Sequence, residues 1–194
     1  MQNKKKYILV HCSDVRQSTI FDQYESINKY HKEERDFPLS ITGSYVGYHY
    51  LITGGKLYTC KQDWEIGAHC NMVKDGLSMN YQALGVCWGG DGDEELPTDE
   101  HYKILQKTIK DLMYKHGISI NNVMFHRDFD NKGKTCPGAL FTRKYLDDMI
   151  VGVNSETSVP KKMCTEQEET IKIQNGVIEN LKALLQSIIN LYKK

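Results

Sequence analysis

Two histidines and one cysteine, His11, His126 and Cys136, carry the most specific chemistry open to this 194-residue chain. An imidazole nitrogen and a thiolate sulfur suit a borderline-soft dication such as Zn2+. Three such ligands leave the fourth tetrahedral position to water, which separates a catalytic zinc site from a structural one. His11 closes the apolar run Tyr7-Ile-Leu-Val-His11, and His126 closes Asn122-Val-Met-Phe-His126. Strand ends lie at the rim of a sheet, where a cleft can open, and Cys136 follows in the loop after the second run. Taken singly, each residue has a plainer reading as a hydrogen-bonded strand histidine or an inert buried thiol. Seven histidines offer many chance pairings, so spacing alone leaves both readings open.

The elements that must position these residues follow from hydrophobic period and turn chemistry. Tyr7–His11 and Ala83–Trp88 read as buried strands, the second ended by the Gly89-Gly-Asp-Gly92 loop. Tyr48–Thr53, Gly54-Gly55 and Lys56–Cys60 form a hairpin signal, because paired glycines supply the positive φ angles of a tight turn. Ile20, Phe21, Tyr24, Ile27 and Tyr30 share one face of a helix predicted over 18–31, with Ser18 as its cap. Thr98 caps a second helix with an apolar face of Tyr102, Leu105, Ile109, Leu112 and Met113, and Gly117 stops it. A third helix is predicted over 139–150. Strands interleaved with helices and one hairpin predict an α/β fold, a single mixed β-sheet flanked by helices. Alternation turns Cys12 and Cys87 into the core and gives His49, beside Tyr48, a structural role. His31, His101 and His116 fall on predicted helices without an evident partner and are expected at the surface.

Residues 1–150 form the predicted domain, 151–165 a linker with Gly, Ser, Thr and Pro, and 166–194 a C-terminal helix. In that helix Ile171, Ile178, Leu181, Leu185, Ile188 and Tyr192 fall on steps of three and four, with Gln174 filling one position. It either packs back on the domain or makes a homo-oligomer. Lys plus Arg and Asp plus Glu both number 25, and this balance argues against broad adhesion to nucleic acid or anionic lipid. No stretch is apolar enough to span a bilayer, and the first apolar run is too short for a signal peptide, so synthesis in the cytoplasm is expected. Six cysteines without a Cys-x-x-Cys pair are expected to be mostly free thiols.

Six segments resemble, in order, motifs of the type 2 N-acetylmuramoyl-L-alanine amidases, which include phage lysozymes of amidase type and peptidoglycan-recognition proteins. They are Val10-His-Cys-Ser13, Val46-Gly-Tyr-His-Tyr-Leu-Ile52, Ile66-Gly-Ala-His69, Ala83-Leu-Gly-Val86, Phe125-His-Arg-Asp128 and Lys134-Thr-Cys-Pro-Gly138. The resemblance runs from Tyr7 to Ile150. It implies one catalytic Zn2+ on His11, His126 and Cys136, with Tyr48 as the catalytic tyrosine and Lys134 as the lysine facing the scissile carbonyl. It also implies that His69 lines the substrate groove, with Asn80 near it. Arg127 and Asp128 are expected to hold the ligand loop, Asp128 as a carboxylate beside a ligand histidine. The implied activity is hydrolysis of the amide between N-acetylmuramic acid and L-alanine in peptidoglycan, in a phage or prophage endolysin that reaches the wall after release. Alternatives are a non-catalytic peptidoglycan-binding protein, whose relatives lack the cysteine ligand, and a cytoplasmic muropeptide-recycling amidase. Asp130-Asn-Lys-Gly133 lengthens the loop between His126 and Cys136, which leaves the position of Lys134 open.

Overall fold

The computed structural model describes residues 4–17, 22–129 and 133–152. In chain order its elements are β1 (Tyr7–Cys12), α1 (Tyr24–Glu33), β2 (Tyr50–Thr53), β3 (Lys56–Thr59), β4 (Val73–Lys74), β5 (Leu77–Ser78), α2 (Met79–Gln82), β6 (Ala83–Trp88), α3 (Asp99–His116), β7 (Val123–Phe125) and α4 (Arg143–Val151). All residues of β1 are buried, as a strand covered on both faces requires. It lies between β6 and β7, parallel to both, in a five-stranded sheet of order β3-β2-β6-β1-β7. Only the hairpin β2–β3 is antiparallel in this sheet, and its turn residues Gly54 and Gly55 have φ of 56° and 68°. The sheet is therefore mixed and flanked by helices, as the interleaved pattern predicts.

Alternation along β1 and β6 divides the core. Ile8, Val10, Leu84, Val86 and Trp88 pack with Leu105, Ile109, Phe141, Leu146 and Met149, joining one face of the sheet to α3 and α4. Tyr7, Leu9 and Ala83 pack on the other face with Met79 and Cys70. Further along that face Leu51 and Cys87 meet Val46 and Cys60, with Tyr24, Ile27 and Tyr48 against them. His11 shares this second face by the two-residue period, in register with Cys87. The five cysteines of the described residues are free thiols, and no described helix is long and apolar enough to cross a membrane.

Several boundaries differ from the sequence prediction, each for a local reason. α1 starts at Tyr24, so Ser18, outside the described residues, is not its cap. Gln23 instead ties the entry to the sheet: its N–H donates to Thr53 Oγ1 at 3.0 Å and its amide donates to the Arg16 carbonyl at 3.1 Å. α4 starts at Arg143, because Ala139 N–H donates to Asp93 Oδ1 (2.6 Å) and Leu140 N–H to the Gly92 carbonyl (3.0 Å), which makes 138–141 a turn. Thr142 caps α4 and Thr98 caps α3, which ends at Gly117 with φ 64°. Beyond Gly152, the predicted linker and the helix over 166–194 lie outside the described residues.

The three helical histidines are not free surface residues. His31 is buried and its Nδ1 accepts from Gly47 N–H at 3.2 Å. His101 is buried, with Nε2 accepting from Gly55 N–H at 3.2 Å. His116 Nε2 lies 2.7 Å from Asp63 Oδ2. Each partner comes from a distant loop, so helical period alone does not reveal it.

Asp63 joins the loop after β3 to the end of α3, taking hydrogen bonds from Lys115 and His116 at 2.7 Å and from the Tyr50 hydroxyl. Burial pushes its carboxyl up, but these three donors outweigh burial and hold it at about 2, below the ordinary carboxylate range. A depressed carboxylate stabilises the fold fully above pH 4 and loses that contribution as pH falls toward 2, a difference of about 2 kcal/mol. Urea unfolding at pH 6 and pH 2.5 is expected to show this loss in the parent and a loss smaller by that amount in Asp63→Asn. Equal acid sensitivity in the two proteins would contradict the assignment.

Candidate metal centre

Parallel pairing brings the two histidines together. Val10 is in register with Phe125, so the next residues, His11 and His126, emerge side by side at the ends of β1 and β7. Their ring centroids lie 4.6 Å apart. Cys136 returns from the loop after β7 and places Sγ 3.8 Å from His11 Nδ1 and 3.5 Å from Cys12 N. One donor atom each from His11, His126 and Cys136 falls within 4.8 Å of the others, a set able to hold a metal ion. Tetrahedral zinc with bonds of about 2.0–2.3 Å separates its donors by roughly 3.3–3.6 Å, so the observed 3.8 Å between sulfur and nitrogen fits with little adjustment. Burial, with a smaller electrostatic contribution from the His69 and His126 rings and the Lys134 ammonium, holds the His11 imidazole well below its ordinary value. His11 is therefore neutral, as a ligand must be. A hydrogen bond with Cys12 and burial push the Cys136 thiol up, so its thiolate form requires a cation beside it.

The ligand loop is held from both sides. Arg127 N–H donates to the Cys136 carbonyl at 2.8 Å, and its guanidinium donates to the carbonyls of Thr135 (2.9 Å), Gly138 (2.6 Å) and Phe141 (2.7 Å). That guanidinium rests on the Phe125 ring, 4.3 Å from its centroid. From the other side Asp93 accepts from Thr135 Oγ1 and Ala139 N–H. Gly92 and Gly138 cross so closely that a Cβ on Gly138 (φ 107°) would sit 1.9 Å from the Gly92 carbonyl carbon. Asp128 accepts from Phe125 N–H at 2.9 Å, which closes the turn that carries His126.

Beside the donor atoms lies a cleft of about 420 Å3, lined in part by Tyr30, Arg35, Phe37, Tyr48, His126 and Lys134. Tyr48 is half-buried, with its ring 5.0 Å from that of His11. Lys134 is exposed on the cleft wall and its charge reaches His11. His69 lines the inner end, but it is only 8% exposed and its Nδ1 lies 3.2 Å from His11 Nε2. Asn80 does not line this cleft: Oδ1 accepts from His69 N–H and Cys70 N–H at 2.7 Å, and Nδ2 donates to Asn71. His49 is fully buried, accepting from Gly85 N–H on Nδ1 with Nε2 facing the Glu65 carbonyl. The cleft residues that sequence reasoning passed over are Tyr30, His31, Arg35 and Phe37. Tyr30 and His31 lie in the last turns of α1, and Asp36, at φ 49°, redirects the chain so that Phe37 N–H returns to the His31 carbonyl. That turn is the one signal for them, and an Asp in left-handed conformation is hard to foresee.

The family model for N-acetylmuramoyl-L-alanine amidases (Amidase_2) matches residues 1–139, and the chain belongs to that family. Among solved structures the fold is similar to N-acetylmuramoyl-L-alanine amidase LysC from Clostridium intestinale, with TM-score 0.58 and 22% identity over 77% of this chain and 87% of that one. It is similar to the Ph2119 endolysin of a Thermus scotoductus bacteriophage, with TM-score 0.56 and 20% identity over 75% of this chain and 84% of that one. It is also similar to a point mutant of Drosophila PGRP-LB in complex with tracheal cytotoxin, with TM-score 0.56 and 23% identity over 72% of this chain and 78% of that one. No curated protein matches the chain in sequence.

If the three donor atoms take zinc and Arg127 sets the loop that delivers the sulfur, Arg127→Ala is expected to weaken zinc binding about 10–100-fold. Arg127→Lys, which cannot reach three carbonyls at once, should fall between. Competition with a chelator of known affinity measures both, and unchanged affinity in Arg127→Ala would reject this role.

Proposed function

We propose that the chain is a zinc-dependent amidase that hydrolyses the bond between the lactyl group of N-acetylmuramic acid and L-alanine in peptidoglycan, acting as a phage or prophage endolysin. The observation that carries this reading is the convergence of two imidazole nitrogens and one sulfur within 4.8 Å at the wall of a cleft, in a chain of this family. Non-catalytic wall binding would need the cleft but not the sulfur, and the sulfur is present.

His11, His126 and Cys136 would hold the ion, and the donor set of two neutral nitrogens and one thiolate fits Zn2+. Held there, zinc would supply polarisation of the amide carbonyl and a water whose pKa is lowered to about 7. The protein's own groups supply the rest. The Lys134 ammonium stabilises negative charge as it develops on the carbonyl oxygen of the amide. The Tyr48 hydroxyl orients the attacking water and assists proton delivery to the departing alanine nitrogen. Phe37 and Tyr30 offer apolar surface along the same wall, and Arg35 offers a cation to a carboxylate of the stem peptide.

The test is mass spectrometry of products from intact wall and from soluble muropeptide, together with zinc content. The parent is expected to hold one zinc per chain and to release peptides with a free L-alanine amine from intact wall. Cys136→Ala should be poor in metal and inactive. Lys134→Ala should keep its zinc and lose about 10²–10³ in kcat, and Tyr48→Phe should keep its zinc and lose about 10²–10⁴. A parent that binds wall and releases no peptide would overturn the enzyme reading. Release from soluble muropeptide alone would favour a recycling amidase.

A further inference from the structure

His11 has two ring nitrogens, and the structure gives them different neighbours. Nδ1 faces the Cys136 sulfur at 3.8 Å, and Nε2 faces His69 Nδ1 at 3.2 Å. A nitrogen that binds a metal carries no proton, so a neutral His11 ligating through Nδ1 keeps its proton on Nε2. That proton points at His69. The two rings meet edge to face, with an interplanar angle of 82°, as a donor to the lone pair of a ring nitrogen allows.

We propose that His69 is a positioning residue for the metal centre: its Nδ1 accepts the His11 Nε2–H and so fixes the tautomer and ring plane that present His11 Nδ1 to the ion. This rests on the metal binding proposed above. His69 is itself built to stay in place. Asn80 Oδ1 holds the backbone N–H groups of His69 and Cys70, both at 2.7 Å. The ring lies in a slot of glycine backbone, where a Cβ on Gly67 or Gly85 would come within 2.4 or 2.6 Å of its Cδ2. With Nδ1 accepting, the His69 proton lies on Nε2, a buried atom without a well-formed hydrogen bond, and the Ala83 backbone is the polar main-chain group that acts on the ring. The ring is therefore locked by packing and by its main chain, and it is largely shielded from the cleft. The glycines of Ile66-Gly-Ala-His69 and Ala83-Leu-Gly-Val86 share one purpose here, which is to admit this imidazole behind the ligand.

The experiment measures metal affinity rather than turnover. Full-length parent, His69→Ala and His69→Asn compete with a chelator for Zn2+, and the Co2+-loaded forms are compared by thiolate-to-metal absorption. His69→Ala is expected to bind zinc about 10–100-fold more weakly. His69→Asn, whose Oδ1 replaces the Nδ1 acceptor, should recover most of that loss. At saturating zinc the KM for muropeptide should stay within about twofold of the parent in both. Zinc affinity in His69→Ala within about twofold of the parent, with KM raised, makes His69 a substrate contact and overturns the proposal. Should the variants fail to fold, 15N-detected tautomer assignment in the zinc-loaded parent decides. His11 protonated at Nε2 with His69 unprotonated at Nδ1 upholds the proposal, and a proton on His69 Nδ1 overturns it. A parent that binds no zinc defeats the functional reading as well, whereas a zinc-binding parent with an indifferent His69→Ala defeats this inference alone.

Discussion

A sulfur on a loop must reach a histidine on a central strand, and that requirement organises one end of the sheet. Cys136 does not belong to a regular element, so no ladder of strand hydrogen bonds places it. Ordering one residue costs about 1–2 kcal/mol of backbone entropy, and a hydrogen bond to a charged group returns about 1.5–3 kcal/mol. Arg127 supplies three such bonds to loop carbonyls and Asp93 two more to its hydrogen-bond donors, enough to offset the ordering of the segment 135–141. Both charged groups act on the loop around the cysteine, leaving the thiol itself able to turn toward His11. The crossing of Gly92 and Gly138 sets how near the two loops approach, since a side chain on either would drive them apart.

Behind the donor atoms the sheet is filled by imidazoles rather than aliphatic side chains. His11, His69 and His49 follow one another with ring centroids 5.1 and 5.7 Å apart. Burial holds His49 down at about 3 and keeps His69 well below its ordinary value, so these rings are neutral at physiological pH. Neutral imidazoles offer both a donor and an acceptor without adding charge. A dication entering at His11 therefore meets no positive charge on the rings behind it. Packing makes room for the row at Gly67, in the loop between β3 and β4, and at Gly85 on β6.

Much of this is legible in the sequence, and the parts that are not share a cause. The β1 and β6 strands, the Gly54-Gly55 hairpin and the start and stop of α3 follow from local period and turn residues, which act over a few positions. The pairing of His11 with His126 is legible because both close an apolar run, and parallel register then sets them side by side. The resemblance places Asn80 near the groove, yet its amide oxygen satisfies two backbone N–H groups instead. The partners of His31, His101 and His116 are backbone or carboxylate groups 16, 46 and 53 residues away, beyond the reach of helical spacing. Arg35 and Phe37 give no signal by type, because their place on the cleft depends on the turn at Asp36. Local chemistry is readable; loop return is not.

The same distinction applies to charge. A formal net charge of zero argues against broad adhesion to polyanions, but it says nothing about where the charges lie. Arg35 and Lys134 both stand on the cleft wall, with Asp14 as the acidic group among the lining residues. Two neutral imidazoles and one thiolate leave a bound dication with a net single positive charge, which adds to these two cations. Under the proposed function, a substrate bearing carboxylates along its peptide stem would thus be drawn into the cleft by a field about 10 Å in range, while the rest of the surface stays balanced. The loop that brings Cys136 to His11 also carries Lys134, two residues earlier. Cysteine and cation therefore move together, and under the proposed function any change that loosens the loop would weaken metal binding and the cleft's field at once.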